Sequence, residues 1–152
     1  MRKLLSIVAV VAAVTAVALG GFVTIDSASA AEREISGTGV LYARGSGIAD
    51  LRGDGVVDIK AHGVGTIVVC GAERIEARGA GQRAQQPDGC VRFAGWKGAI
   101  HLVGEDMAVH MEGTRIEFRA AGHGVAHLKG HGVFQVGSHS GRWTPEGVDV
   151  RF

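Results

Sequence analysis

The fold is decided by GSGIADLRGDGVVDI, residues 45–59, because small or apolar residues alternate there with mostly polar ones without a break. Every odd position is small or apolar, and five of the seven even positions are Ser, Asp or Arg. This is the side-chain period of a β-strand with one buried face. The same phase runs back to Leu41 and forward to Val69, so the stretch predicts a single small all-β domain.

A second copy of this pattern follows later in the chain. Residues 37–61 align with residues 114–138 at eight identical positions, seven of them on the inward face. Identity concentrated on one face indicates that the copies share packing rather than surface chemistry, as an internal duplication would. The glycines assigned structural roles on this basis are Gly45, Gly47, Gly53, Gly55, Gly122, Gly124, Gly130 and Gly132.

The closely spaced glycines have two interpretations. A three-residue hairpin loop that ends in a left-handed glycine pairs Leu51 with Val57, and Leu128 with Phe134. This interpretation gives an antiparallel sandwich or barrel of short hairpins, the expected form, because short strands at regular spacing are common in all-β domains. Alternatively, one long strand, or the coil of a β-solenoid, bends at the glycines because no Cβ obstructs it.

Residues 1–30 have the composition of a signal peptide. Two basic residues precede an uncharged apolar run at residues 4–25, and Ala-Ser-Ala at residues 28–30 fits a cleavage site. The apolar run is also long enough to span a bilayer, so an uncleaved membrane anchor remains an alternative. Either reading places the glycine-rich domain, residues 31–152, outside the cell membrane, as a secreted, periplasmic or cell-surface protein.

Beyond residue 30 the chain carries 14 basic and 14 acidic side chains. A neutral, scattered charge gives no reason to expect nucleic acid or an anionic membrane surface as a partner. The sequence has no nucleophile elbow and no phosphate-binding loop, so neither a catalytic residue nor a cofactor is predicted. We expect a non-catalytic structural, adhesive or assembly element of the cell envelope, which associates with itself or with envelope components.

Cys70 and Cys90 are the only cysteines of the chain. An even number of cysteines in an exported domain predicts a disulfide. A bridge that closes a loop of this length stabilises a domain by about 3 kcal/mol.

The alternation fails at residues 80–89, AGQRAQQPDG, where Pro87, Asp88 and Gly89 fit a type I turn. The sequence therefore predicts one substantial loop here, directly before Cys90. This loop is one candidate binding surface of the alternative function, a ligand-binding module.

A row of histidines is the other candidate binding surface, because histidines can act as ligands of a transition metal. Residues four apart on an extended strand are about 13 Å apart, too far to share one ion, so two of these side chains could meet only if the chain folds back. The outward histidines in the second copy and directly after it are His123, His127, His131 and His139.

The two copies differ on their outward faces. His127 and His131 take the places of Asp50 and Asp54. We therefore hypothesise that the acidic and imidazole faces meet, within the domain or between molecules, and that their pairing strengthens when the imidazole is charged.

Two further patterns point to ligands but have simpler explanations. The segments RGSGIADL and RGDGVVDI look like a calcium-binding glycine-rich repeat, but Ala49 and Val57 stand where that repeat needs Asp. The aromatic residues Tyr42, Trp96 and Trp143 could form a platform for sugar rings. Because aromatics are so sparse here, we expect them instead to fill the core opposite the rows of glycine.

Overall fold

The computed structural model describes residues 35–36 and 39–152, and the predictions for residues 1–30 lie outside this range. The described residues are mostly β-strand, which confirms the all-β class. No helix in this part of the chain is long and apolar enough to cross a membrane. The strands are β1 (Ile35–Ser36), β2 (Val40–His62), β3 (Thr66–Cys70), β4 (Arg74–Gln85), β5 (Val91–Val136), β6 (His139–Arg142) and β7 (Val148–Arg151).

All seven strands belong to one open sheet that is mainly antiparallel. The long strands β2 and β5 form its centre and run antiparallel to each other. Strands β4, β6 and β7 add to β5 in antiparallel register. Strand β3 lies between two parts of β5, so that Ile67 is opposite Phe93 on one side and Met111 on the other, and β1 is parallel to β7.

The two long strands form a coiled ribbon. Tyr42 of β2 pairs with Arg119 on one side and, on the other, with Gln135, 16 residues further along β5. Arg119 pairs in turn with Asp58, 16 residues further along β2. Because each strand meets its partner on both sides, successive turns of the ribbon are joined by the ladder of hydrogen bonds.

The predicted hairpins are wrong. Strands β2 and β5 run through residues 53–55 and 130–132 without a turn. Leu51 pairs with residues of β5 on both sides and not with Val57. The structure instead has long strands that pass through the glycines, as in the alternative interpretation. It is not a β-solenoid, because the strands that join neighbouring turns of the ribbon are antiparallel, whereas those of a β-solenoid are parallel.

The glycines mark the points where the two strands approach most closely. Gly47 has φ +135°, and a Cβ there would overlap the carbonyl oxygen of Lys129 and lie 3.0 Å from the Cα of Gly130. Only glycine allows both this backbone conformation and this approach. The facing pairs between β2 and β5 are Gly45–Gly132, Gly47–Gly130, Gly53–Gly124 and Gly55–Gly122, and glycines face each other in the same way at Gly65–Gly113 and Gly79–Gly98.

The middle residue of each Gly-x-Gly step in β2 stabilises a β-bulge in β5. At these steps β5 has one extra residue, and Asp106 and Arg115 adopt positive φ angles of 52° and 57°. The backbone N–H of Asp106 donates to Oδ1 of Asp54 at 2.7 Å. The backbone N–H of Arg115 donates to Oγ of Ser46 at 3.4 Å. Ser46 and Asp54 therefore have structural roles.

The core is apolar and light, as the alternation predicts, with aromatic rings placed over glycines. The ring of Trp143 lies 3.0 Å from the position of a Cβ on Gly45, and the ring of Phe152 lies 2.8 Å from that on Gly124. Trp143 is thus the predicted core filler, whereas Tyr42 is exposed. The inward residues of β2 that are buried are Leu41, Ala43, Ala49, Leu51, Val57 and Ile59.

The predicted disulfide is present and joins Cys70, at the end of β3, to Cys90, next to the start of β5. Such a bond is consistent with an oxidising, extracellular or periplasmic location. A turn precedes it, in which the N–H of Gly89 donates to the carbonyl of Gln86 at 3.0 Å. The predicted loop at residues 80–89 is otherwise wrong, because β4 continues to Gln85. Both faces of this edge segment are exposed, so its sequence has no reason to alternate.

Candidate functional site

The outward side chains of neighbouring strands lie side by side in rows across the sheet. One row consists of Arg44, Val133 and Arg142, from β2, β5 and β6. Two residues along each strand, and hence on the same face, a second row follows. It consists of Tyr42, Gln135 and Ser140. We call these six residues the arginine groove, because they line a solvent-open cavity of about 530 Å³.

A second open cavity continues the arginine groove. It has a volume of about 500 Å³ and shares Arg44, Glu117 and Val133 with the first. It extends to His62 and Arg115. The two cavities therefore form a trough along the outer face rather than an enclosed pocket.

The arginine groove carries positive charge that the domain does not neutralise. Among residues 39–152, no carboxylate lies within 4.0 Å of the guanidinium of Arg44 or Arg142. Glu117, which also lines the cavity, lies 3.8 Å from Lys60 Nζ and 3.6 Å from His62 Nε2. The acidic side chain is thus occupied, and the two arginines face solvent.

The aromatic side of the groove is formed by Tyr42, whose side chain is 54% exposed. The guanidinium carbon of Arg119 lies 5.8 Å from the centroid of the Tyr42 ring. Arg119 is itself placed by Asp58, at 3.8 Å between Nη1 and Oδ2. Val133, between the two arginines, is 43% exposed. The groove therefore offers apolar surface next to its charges.

A different kind of row lies further along the ribbon, and we call it the acid–imidazole row. It consists of Asp149, His127, Asp50 and His110, on four neighbouring strand segments. Nδ1 of His127 is 2.7 Å from Oδ1 of Asp149, and Nδ1 of His110 is 2.6 Å from Oδ1 of Asp50. Because a carboxylate only accepts hydrogen bonds, Nδ1 is the donor in both pairs.

A third pair of the same kind lies elsewhere on the outer face. Nδ1 of His101 is 2.6 Å from Oδ1 of Asp58. These contacts are partly exposed, with the His101 and Asp58 side chains at 41% and 48% of their full accessibility. Each such pair therefore contributes at most about 1 kcal/mol to stability. The arrangement fixes the rings but leaves each Nε2 outside the pair.

The histidines predicted as metal ligands do not come together. His127 is held by Asp149, and its ring covers Gly147, where a Cβ would overlap the imidazole. His123 and His131 are exposed at the middle of Gly-x-Gly steps, and His139 is exposed in β6. Within the described residues, no three His, Cys, Asp or Glu side chains converge on one point.

The acidic and imidazole faces of the two copies do lie side by side within the domain. Asp50 is the register partner of His127, and Asp54 is that of His123. The hydrogen bonds go to other residues, however, because Asp50 contacts His110 and Asp54 accepts from a backbone amide. That the pairing strengthens with protonation of the imidazole stays a prediction.

Sequence reasoning missed the arginine groove and the two histidines paired with β2. Arg44 and Arg142 come from distant parts of the chain, and nothing local marks either one. The positions of His101 and His110 could have been found from their spacing. Asp50 and Asp58 point outward and are eight residues apart, and the histidines opposite them are nine residues apart because of the bulge at Asp106.

Comparison of the chain with protein-family models, with curated proteins and with solved structures finds no match. The function is therefore inferred from the geometry of the outer face.

Proposed function

We propose that the protein is an exported, non-catalytic β-domain that serves as an adhesive or assembly element of the cell envelope and holds its ligand in the arginine groove. The observation that supports this most directly is the pair Arg44 and Arg142, which face an open cavity without a carboxylate partner among the described residues. Two like charges around an exposed Val133 do not stabilise the fold. An anionic ligand gives them a role.

Export is supported by two independent features. Residues 1–30 have the composition of a signal peptide or an uncleaved anchor, which carries the domain across a membrane in either case. The disulfide between Cys70 and Cys90 forms in an oxidising compartment. Secretion to the periplasm or the cell surface accounts for both.

The non-catalytic character is supported by the way in which reactive side chains are used. The three Asp–His pairs resemble the orienting half of a catalytic triad, but His101, His110 and His127 stand on separate positions of the outer face. Ser46 accepts a hydrogen bond from the bulge of β5, and both cysteines are in the disulfide. No hydroxyl or thiol of the described residues is hydrogen-bonded to an Nε2 of these pairs.

We also infer that residues 37–61 and 114–138 are copies of one unit related by an approximate two-fold axis. The register supports this, because Asp50 faces its equivalent His127. The facing pair Gly45–Gly132 likewise corresponds to the pair Gly55–Gly122. A ribbon made of two copies of one strand pairs in this self-complementary way.

The test of this function is binding of the purified protein to cell-envelope fragments of the organism that produces it, followed by sedimentation. We expect the protein to sediment with the fragments. We expect the double variant Arg44→Gln, Arg142→Gln to stay in the supernatant and the control Arg52→Gln to behave like the parent protein. Arg52 is an exposed outward arginine of the same strand. Equal sedimentation of all three proteins would contradict the role of the groove.

Self-assembly is a second candidate function, favoured by the outer edge of β4. All residues of β4 except Gly81 pair with β5 on one side, and among the described residues no other strand pairs with β4. An open edge can pair with a second copy, although Arg74, Arg78 and Arg83 place like charges along it, which opposes such pairing. Sedimentation velocity over a range of concentrations tests this, and a single monomeric species throughout would exclude it.

A further inference from the structure

We propose that the arginine groove binds an acidic polysaccharide, a polymer of sugar rings that bear carboxylate or phosphate groups. This inference rests on the proposed function, in that the groove must hold a ligand. It goes further by naming the chemistry of that ligand from the charges, the aromatic ring and the shape of the groove.

The anionic groups of the ligand are recognised by Arg44 and Arg142. The two residues lie in one row with Val133 between them, so their Cα atoms are two strand spacings apart, about 10 Å. A guanidinium binds a carboxylate or phosphate through two parallel hydrogen bonds. The domain as a whole is neutral beyond residue 30, but the groove concentrates positive charge because its acid, Glu117, is bound by Lys60 and His62.

The sugar ring is recognised by Tyr42. More than half of this side chain is exposed, and Arg119 lies over the ring and restricts it. An aromatic ring with a polar edge packs its apolar face against an amphipathic partner, and the face of a sugar ring is such a partner. Val133 continues this apolar surface between the two arginines.

Neutral side chains in the same row as Tyr42 can form hydrogen bonds with the hydroxyl groups of the sugar. Gln135 and Ser140 supply an amide and a hydroxyl, each of which donates and accepts hydrogen bonds. Both residues line the cavity with Tyr42. The mixture of a few polar groups with apolar surface is typical of sites for small organic ligands.

The shape of the groove favours a polymer over a single sugar. The cavities of about 530 and 500 Å³ share Arg44, Glu117 and Val133, and both are open to solvent. Each is large enough for a small ligand. A chain can therefore lie along both and leave at either end.

The test is a calorimetric titration of the purified protein with polygalacturonate, which carries carboxylates, with a phosphomannan, which carries phosphates, and with dextran, which is neutral. We expect one or both acidic polymers to bind and dextran not to bind. Binding of only one identifies the anion, and both results support the proposal. Binding of dextran as tight as that of the acidic polymers would overturn it, as would failure of both to bind.

Inorganic polyphosphate and a single-stranded oligonucleotide separate recognition of a sugar polymer from plain attraction to a polyanion. Both carry phosphates, and a base could also stack on Tyr42. We expect them to bind at least about tenfold more weakly than the better acidic polysaccharide, a difference that matches the loss of sugar-ring packing on Tyr42 and of hydrogen bonds from the sugar hydroxyls. Equal or tighter binding of either one would overturn the proposal.

Variants locate the site. We expect Arg44→Gln and Arg142→Gln each to weaken binding about tenfold or more, and Arg44→Lys to weaken it less, because lysine keeps the charge but loses the two-pronged geometry. The control Arg52→Gln should change affinity less than twofold. Unchanged melting of these surface variants shows that the fold is intact. If envelope binding depends on the groove but no acidic polysaccharide binds, the proposed function stands and this inference fails.

Discussion

Two rows of the ribbon carry the same order of side chains, arginine, valine and arginine. Arg44, Val133 and Arg142 form one, and Arg52, Val125 and Arg151 form the other. In both, an exposed valine of β5 lies between an arginine of β2 and an arginine of β6 or β7. Arg44 and Arg52 are eight residues apart on β2, as are Val125 and Val133 on β5, so the register places each arginine opposite a valine on the same face.

The rows differ in what lies two residues along each strand. Next to the first row are the uncharged residues of the arginine groove, Tyr42, Gln135 and Ser140. Next to the second are Asp50, His127 and Asp149 of the acid–imidazole row. Two arginines beside two carboxylates make a surface without net charge. In the first row the register partner of Arg44 is Glu117, which is bound by Lys60 and His62, so the two arginines remain available to an anion. One backbone arrangement thus supports a self-compensated surface and a binding surface.

The largest effect is expected from a change that removes both surfaces together, Gly47→Ala. Gly47 lies between Arg44 and Arg52 on β2 and faces Gly130. A Cβ there adds strain at φ +135° to an overlap with backbone, so we expect a loss of about 2–4 kcal/mol in the free energy of unfolding, measured with urea.

The control for this variant is Gly89→Ala. Gly89 has φ +85°, but nothing lies within 4 Å of the Cβ position. We expect this variant to lose only about 1 kcal/mol, the cost of the backbone conformation alone. Equal losses in the two variants would show that the close approach of the strands is not what requires glycine.

An intermediate effect is expected when the acid that lies beside Arg52 is introduced at the equivalent position beside Arg44. The variant Tyr42→Asp places a carboxylate where Asp50 stands relative to Arg52. We expect polygalacturonate or phosphomannan binding to weaken about tenfold or more, because the new carboxylate competes for Arg44 and repels the ligand. The control Tyr42→Asn removes the ring without adding charge and should weaken binding less. If both variants bind equally, charge compensation is not what distinguishes the two surfaces.

The smallest effect is expected from weakening the acid–imidazole row. Asp50→Asn reduces the charge behind the contact with His110, in which Asp50 and His110 are 46% and 40% exposed. We expect a loss of at most about 1 kcal/mol in the free energy of unfolding and no change in polysaccharide affinity. A marked loss of affinity with unchanged stability would assign ligand binding to the second surface.

The sequence predicted the phase of the strands but not their path. The alternation correctly predicted the burial of Leu41, Ala49 and Leu51, since neighbouring residues of a strand point to opposite faces. The glycine pattern is ambiguous because a hairpin loop and a close strand approach both need glycine. Residues distant in sequence decide which of the two forms, since glycine is required at position 47 by the close approach of Gly130 and not by its neighbours in sequence.

The candidate site was less predictable than the fold. The disulfide was found because two cysteines allow one pairing. The arginine groove joins Arg44 to Arg142 through a register that depends on the coil of β2 and β5. The histidines of the second copy were predicted as candidate metal ligands, yet His127 is hydrogen-bonded to Asp149. Asp149 lies in β7, and the sequence does not reveal which strand β7 pairs with.

We expect the row of Arg44, Val133 and Arg142 to bind an acidic polysaccharide and the row of Arg52, Val125 and Arg151 not to bind it, and NMR distinguishes the two rows in one titration. Backbone amide shifts of the purified protein are followed during titration with a short oligogalacturonate and, separately, a phosphomannan oligosaccharide. We expect one or both ligands to shift the amide signals of Arg44, Val133, Gln135 and Arg142, and to leave those of Arg52, Val125 and Arg151 in place. Perturbation centred on the second row, or equal perturbation of both rows, would contradict it.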